Sequence, residues 1–185
     1  MADDTLNEEV ISSEPIYEGR IVRLRVDRVR LPNGRESTRE IVAHPGAVCI
    51  VPVTDDGRVL LVRQFRLAAG KSLLEVPAGT LEPGEDPLAC ANRELMEETG
   101  FKAGSLQPMF AMFVAPGYSS EKIHAFLATG LEPAKADADF DEFLQLAGMP
   151  LVEVEGRILA GEFEDAKTIA SLLAANRLLG ARTSA

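Results

Sequence analysis

The sequence predicts a mixed α/β (α+β) fold in which helices cover a mixed sheet as an α/β/α sandwich, preceded by an N-terminal antiparallel strand hairpin. Three observations carry this prediction. Apolar and charged residues alternate near the N-terminus, short apolar runs bounded by turn residues follow, and two segments with helical periodicity each come after a group of strands. The length of 185 residues suits one compact domain with a small appendage.

The first strands are predicted as two hairpins. Residues 22–27 alternate apolar and charged side chains, the period of a half-buried strand, and Pro-Asn-Gly at 32–34 marks the turn before a return strand at 36–42. Apolar runs at 47–54 and 58–65 are joined by Asp-Asp-Gly, which predicts a second hairpin.

Strands and helices alternate in the rest of the chain. A helix at 87–99 is predicted because Asp86 is a good N-cap, Pro87 suits the first turn and Gly100 suits the C-terminal end. The other predicted strands are 72–76, 106–114, 122–128 and 143–146, and the other helical patterns are 151–158 and 165–179.

Charge and composition exclude several classes of function. Nineteen Lys and Arg against 29 Asp and Glu give a net charge of −10, which argues against binding nucleic acid or an anionic membrane by bulk charge. The two cysteines form no spaced framework, which favours a reducing compartment. The first residues are acidic and lack the pattern of a secretory signal, so we expect a cytoplasmic location.

The helix at 87–99 carries the chemistry. Glu94, Glu97 and Glu98 lie at i, i+3 and i+4, so three carboxylates share one face near the end of the helix where the dipole disfavours them. Clustered oxygen donors suit Mg²⁺ or Mn²⁺ better than zinc. The alternative is a solvated acidic face, and the apolar side of this helix, together with Arg93 as the one cation among seven acids from 75 to 98, argues against it.

The segment from Gly79 to Phe101, GTLEPGEDPLACANRELMEETGF, resembles the Nudix box at every defined position. Pro116, sixteen residues after Gly100, is typical of the ADP-ribose pyrophosphatase subgroup, and the sequence is similar to that subgroup over nearly its whole length. Ala115 departs from the serine that many members have before Pro-Gly. The resemblance implies a Nudix-type α/β/α sandwich and two regions, an N-terminal strand region at 1–42 that forms a dimer and a hydrolase domain at 43–185.

The same resemblance implies roles for individual residues. The expected metal ligands for Mg²⁺ or Mn²⁺ are the Ala78 carbonyl, Glu94, Glu97 and Glu98. Glu97 and Glu142 are the expected catalytic carboxylates, with Glu142 as general base or additional ligand, and Asp139 and Asp141 are weaker candidates for that base. The expected substrate contacts are Arg39 from a neighbouring subunit, Arg66 and Glu121, and the expected structural positions are Gly79, Glu85, Arg93 and Gly100.

The implied function is metal-dependent hydrolysis of ADP-ribose to AMP and ribose 5-phosphate by a homodimer with exchanged N-terminal strands. One alternative is hydrolysis of another nucleoside diphosphate sugar such as GDP-mannose. A second is a non-catalytic Nudix domain that binds a nucleotide as a sensor; retention of all three glutamates disfavours it.

Overall fold

The computed structural model of the chain describes residues 5–135 and 143–182. These residues divide into two units by their contacts, one comprising residues up to 46 together with 113–122 and the other the remaining residues. The elements are β1 (Glu9–Glu18), β2 (Arg23–Arg30), β3 (Glu36–Ala43), β4 (Ala47–Pro52), β5 (Arg58–Arg66), β6 (Lys71–Glu75), β7 (Ala78–Thr80), α1 (Pro87–Thr99), β8 (Phe101–Phe113), β9 (Lys122–Pro133), β10 (Gln145–Pro150), α2 (Val154–Leu159) and α3 (Ala166–Arg182).

The first unit contains an antiparallel sheet in the order β1-β2-β3. The predicted N-terminal hairpin is confirmed, because β2 pairs with β3 from Arg30↔Glu36 to Arg23↔Ala43. Strand β1 was not predicted. Nearly all of its residues are exposed, so it lacks the apolar alternation that marks a half-buried strand, and its pairing with β2 shifts register twice.

The second unit is built around a four-stranded mixed sheet in the order β7-β4-β9-β8. Strand β4 is parallel to β9 and antiparallel to β7. All of β4 is buried, and its side chains alternate between two cores: Val48 and Ile50 pack in the core that includes Leu95 of α1, whereas Cys49 packs in the core that includes Leu172 of α3. Helices therefore cover both faces of this sheet, which confirms the predicted sandwich.

A three-stranded antiparallel sheet, β10-β5-β6, completes the second unit and corrects the predicted hairpin of 47–54 with 58–65. The turn forms, since the Thr54 N–H donates to the Arg58 carbonyl over 2.9 Å, but β4 and β5 share only the bridge Val53↔Val59 and then enter different sheets. The sequence of an apolar strand that is buried on both faces does not identify its neighbouring strand. The short turn therefore suggested that β4 pairs with β5, whereas β4 pairs with β9 and β5 pairs with β10. The strand predicted at 143–146 lies at Gln145–Pro150.

The predicted helix at 87–99 is confirmed as α1, and the helical pattern at 165–179 as α3. The pattern at 151–158 forms a short 3₁₀ turn at Leu151–Glu153 followed by α2. Among the helices described here, none has both the length and the apolar character needed to cross a membrane.

Candidate active site

The register of α1 is fixed at both ends by capping residues. The Asp86 carboxylate accepts hydrogen bonds from the Leu88 N–H at 2.9 Å and the Ala89 N–H at 3.2 Å. At the other end Gly100 has φ 73°, and its N–H donates to the Met96 carbonyl. These caps stop the helix from sliding or fraying, so the three glutamates of its last two turns have defined positions.

Arg93 joins the loop before α1 to the glutamates on it. Its Nε and Nη2 donate to the two carboxylate oxygens of Glu85, each over 3.1 Å. Its Nη1 donates to Glu94 over 2.7 Å and to Glu97 over 3.0 Å. The hydrogen bonds from Arg93 lower the pKa of Glu85 to about 2, and the same pairing raises the pKa of Arg93. One guanidinium thus pairs with three carboxylates.

The segment around β7 lies close against the last turns of α1. The Ala78 N–H donates to Glu98 Oε2 over 3.1 Å. The Cα of Gly79 faces the Glu94 carboxylate so closely that a Cβ at this position would approach three of its atoms within 3.0 Å. Glycine is therefore required here by the proximity of Glu94, and its own backbone conformation imposes no such need.

Arg66 ends β5 beside the same carboxylates. Its Nε and Nη2 each donate to a carboxylate oxygen of Glu75 over 2.8 Å, and Glu75 is 2% exposed. The Glu75 hydrogen bonds are the largest cause of a raised Arg66 pKa, and the charge of Glu98 adds to it. Among the glutamates of α1, Glu98 thus lies within electrostatic range of Arg66.

Two of the expected substrate residues lie in the first unit. Arg39 pairs with both carboxylate oxygens of Glu8 and donates from Nη1 to the Thr38 carbonyl over 2.9 Å. The Glu121 N–H donates to Ser119 Oγ over 3.2 Å. The contacts described for Arg39 and Glu121 are thus made within their own unit. Glu142, with Asp139 and Asp141, lies outside the described residues.

The part of the sequence that contains Gly79, the loop before α1 and α1 itself matches a known domain. Residues 43–172 match the NUDIX domain. The chain belongs to the Nudix family. Residues 8–42 match the nucleoside diphosphate sugar hydrolase N-terminal domain, so two family descriptions together span most of this Nudix protein.

Named relatives cover most of the chain. An ADP-ribose pyrophosphatase of Bacillus subtilis is 42% identical over 89% of this chain and 90% of its own length. A methanol dehydrogenase activator of Bacillus methanolicus is 42% identical over 88% and 89%, and a GDP-mannose pyrophosphatase of Citrobacter koseri is 32% identical over 67% and 69%. The solved structure of an ADP compounds hydrolase covers 95% of this chain and 96% of that one, at 26% identity and a TM-score of 0.86.

The Nudix box offers oxygen donors of the right chemistry for a divalent cation, which Nudix ADP-ribose pyrophosphatases generally need. Within residues 5–135 and 143–182, no three His, Cys, Asp or Glu side chains already converge as a metal site. The hydrogen bonds explain this, because Glu94 and Glu97 are turned to Arg93 while Glu98 is turned to the Ala78 N–H. The residues fit a hard cation by donor type.

Sequence reasoning gave no role to Glu75 and Lys167, which the structure places beside Arg66. Lys167 Nζ donates to Glu75 Oε2 over 2.5 Å. One signal could have identified Glu75, because it is a charged residue between Leu74 and Val76 at the end of a short apolar strand. A carboxylate in such a strand is buried only when cations accompany it.

Proposed function

We propose that this chain hydrolyses the pyrophosphate linkage of ADP-ribose to AMP and ribose 5-phosphate with the aid of Mg²⁺ or Mn²⁺. The observation that carries the proposal is the complete Nudix box, with three glutamates on one face of α1, in a chain 42% identical to an ADP-ribose pyrophosphatase over nearly the full length of both. The proximity of Arg66 to Glu98 gives the site a cation for phosphate beside the carboxylates for metal.

The box residues have distinct proposed roles. Glu94, Glu97, Glu98 and the Ala78 carbonyl are the proposed ligands, and a divalent cation bound by them would supply positive charge against the pyrophosphate and the Lewis acidity that activates water. Arg93, held by Glu85, holds Glu94 and Glu97 close together through hydrogen bonds from one nitrogen. Gly79 leaves room for Glu94, and Gly100 ends the helix directly after the ligands.

Glu142 is the proposed general base, which accepts the proton of the attacking water, and Glu97 is the proposed second catalytic carboxylate. A base of this kind contributes roughly 10²–10⁴-fold to the rate when it lies within hydrogen-bonding reach of the water. The proposal for Glu142 rests on the resemblance of Asp141-Glu142-Phe143 to the family and on its place in the acidic segment after β9, where ten acids lie between 132 and 165.

Arg66, Arg39 and Glu121 are the proposed substrate contacts, with Arg39 acting from a neighbouring subunit. We also propose that the strand region at 1–42 forms a homodimer by strand exchange, whereas 43–185 forms the hydrolase domain. Exposed apolar side chains on the N-terminal sheet, including Val10, Ile16 and Tyr17 at 52–61% exposure, support an interface there. Sedimentation that finds only monomer at micromolar concentration would contradict the dimer. The cytoplasmic location stays a prediction.

A panel of sugar nucleotides tests the proposed function. We expect the highest kcat/KM for ADP-ribose, with AMP and ribose 5-phosphate formed in equal amounts. GDP-mannose is the second candidate because a GDP-mannose pyrophosphatase is among the relatives, and a strong preference for it would overturn the ADP-ribose assignment. A nucleotide sensor without catalysis would bind ADP-ribose and release no product. Full turnover by Glu98→Gln at saturating Mg²⁺ would show that the ligand assignment is wrong.

A further inference from the structure

A buried polar network connects Arg66 to the first turn of α3. Glu75 accepts two hydrogen bonds from Arg66 over 2.8 Å each and one from Lys167 over 2.5 Å. Lys167 also donates to Asp165 Oδ2 over 2.8 Å, and Asp165 accepts from the Thr168 N–H over 3.0 Å. The chain of contacts therefore runs from β5 through β6 to α3.

The side chains of this network are buried at one end and partly exposed at the other. The side chains of Glu75, Lys167 and Asp165 are 2%, 11% and 18% exposed, whereas that of Arg66 is 43% exposed. A bidentate pair with Glu75 uses the Nε and Nη2 side of the guanidinium, which is two of its five N–H donors. The buried end of the network is fixed by packing, and the arginine at its open end still has donors for an anion.

The network exceeds what a purely structural link between β6 and α3 requires. That link is already made by Thr168, whose Oγ1 accepts from the Val76 N–H over 3.0 Å. Lys167 adds a charge next to a carboxylate that Arg66 already pairs. Arg66 and Lys167 balance Glu75 and Asp165, so without Lys167 the cluster would carry one net negative charge beside Glu98. Such a cluster would repel a diphosphate.

We propose that Glu75 and Lys167 are positioning residues for substrate binding: Glu75 fixes the orientation of the Arg66 guanidinium, and Lys167, held by Asp165, keeps the cluster neutral so that Arg66 can attract a phosphate group of the substrate. The inference rests on the proposed function, because it assigns the phosphate of a nucleoside diphosphate sugar to Arg66. The buried first turn of α3 thereby contributes to substrate affinity through Arg66.

A double-mutant cycle in the full chain tests this inference. At saturating Mg²⁺, we expect Lys167→Met to raise KM about tenfold while kcat changes less than about threefold, and Lys167→Arg to restore most of the affinity. In an Arg66→Ala background, adding Lys167→Met should raise KM less than about twofold further, because the residue acts through Arg66. Glu75→Gln leaves the cluster with one net positive charge but releases the Arg66 guanidinium, so it should raise KM in the unmodified chain and have less than about a twofold further effect in the Arg66→Ala background.

Two controls separate positioning from folding. Ile169→Ala removes apolar packing of α3 against the core and leaves every side-chain hydrogen bond and charge of the network in place, so it should lower Tm and leave KM unchanged. Arg157→Met on α2 breaks exposed pairs with Glu153 and Glu162 and should change neither quantity. If Lys167→Met does not fold, Lys167→Gln, which also removes the charge, replaces it in the cycle.

Independent effects would overturn the inference. If the factor by which KM rises in the double variant equals the product of the factors measured for Arg66→Ala and the Lys167 variant alone, Lys167 does not act through Arg66. A rise in KM for Ile169→Ala equal to that of Lys167→Met would likewise reduce the network to a structural link. Failure of the proposed function is a separate result, seen in the unmodified chain. If that chain prefers another sugar nucleotide, the same cycle is measured with that substrate.

Discussion

Gly79→Ala is expected to abolish most activity by displacing one carboxylate, with the fold retained. The added Cβ would approach the carboxylate carbon and both oxygens of Glu94 within 3.0 Å, closer than Cβ atoms are found in real structures. The atoms in the way are the end of a flexible side chain, so Glu94 can turn aside while the backbone stays in place.

The structure sets the size of the effect. Carbon atoms in contact lie about 3.5 Å apart, whereas the added Cβ would lie 1.9 Å from the Glu94 carboxylate carbon, so the carboxylate has to retreat by roughly 1.6 Å. A displacement of that size in a group that positions the reaction costs roughly 10²-fold in rate, and we expect kcat to fall by about that factor. Glu94 also loses its 2.7 Å hydrogen bond from Arg93, which should lower the free energy of unfolding by about 1–2 kcal/mol.

Steady-state hydrolysis of ADP-ribose with Mg²⁺, together with thermal unfolding, measures both quantities. For a chain of this size the predicted loss of stability corresponds to a fall in Tm of roughly 2–8 °C. Gly156→Ala is the matched control, because a Cβ on that helical glycine meets nothing within 4 Å. It should leave kcat unchanged and raise the stability by about 0.5–1 kcal/mol.

Two outcomes would refute the reasoning about Gly79. If Gly79→Ala folds and keeps kcat within about threefold of the unmodified chain, the position of Glu94 does not govern the rate. If the variant does not fold at all, the backbone of β7 cannot stay in place while Glu94 turns aside. Glu94→Gln gives a comparison, since it changes the same carboxylate without adding an atom to β7.

Three further predictions concern the base, acid stability and the thiols. Glu142→Gln should lower kcat at least about 10²-fold and leave KM within about threefold of that of the unmodified chain. The same change at exposed Glu155 should have no effect. A kcat for Glu142→Gln within about threefold of that of the unmodified chain contradicts the role of Glu142 as base. Burial alone would raise the pKa of Glu75, but the hydrogen bonds and charges of its cationic partners lower it from 4.5 to about 2. The contribution of Glu75 to the free energy of unfolding is therefore complete above pH 4.5 and is lost as the pH falls through 2. Urea unfolding should show about 2 kcal/mol less stability from Glu75 at pH 3 than at pH 5. This loss must be absent in Glu75→Gln. Burial raises the pKa of Cys49 to about 11 and of Cys90 to about 12, so a disulfide reagent at pH 8 should label neither thiol until the chain is unfolded, and rapid labelling of the folded chain contradicts this.

The sequence predicted the parts of the site that are local. The bounds of α1 follow from Asp86, Pro87 and Gly100, because caps act on backbone groups within one turn. The shared face of the three glutamates follows from helical spacing, and the match to the Nudix box followed from residues within one continuous segment.

The parts that depend on distant contacts could not be predicted. Pairing of β4 with β9 joins residues more than seventy positions apart, and the apolar pattern of a fully buried strand does not identify its neighbour. The ion pairs of Glu75 join β6 to Lys167 in α3 across 92 positions, so no local spacing reveals them. Strand β1 was missed because an exposed strand has no apolar period to detect.

Product analysis with and without metal tests whether the chain is a metal-dependent ADP-ribose hydrolase. The unmodified chain and Glu98→Gln are incubated with ADP-ribose in Mg²⁺ and, separately, in excess chelator, and AMP and ribose 5-phosphate are quantified. The account predicts equal amounts of the two products from the unmodified chain in Mg²⁺, and almost none in chelator or from Glu98→Gln. Equal product formation with and without metal, or by both proteins, would contradict it.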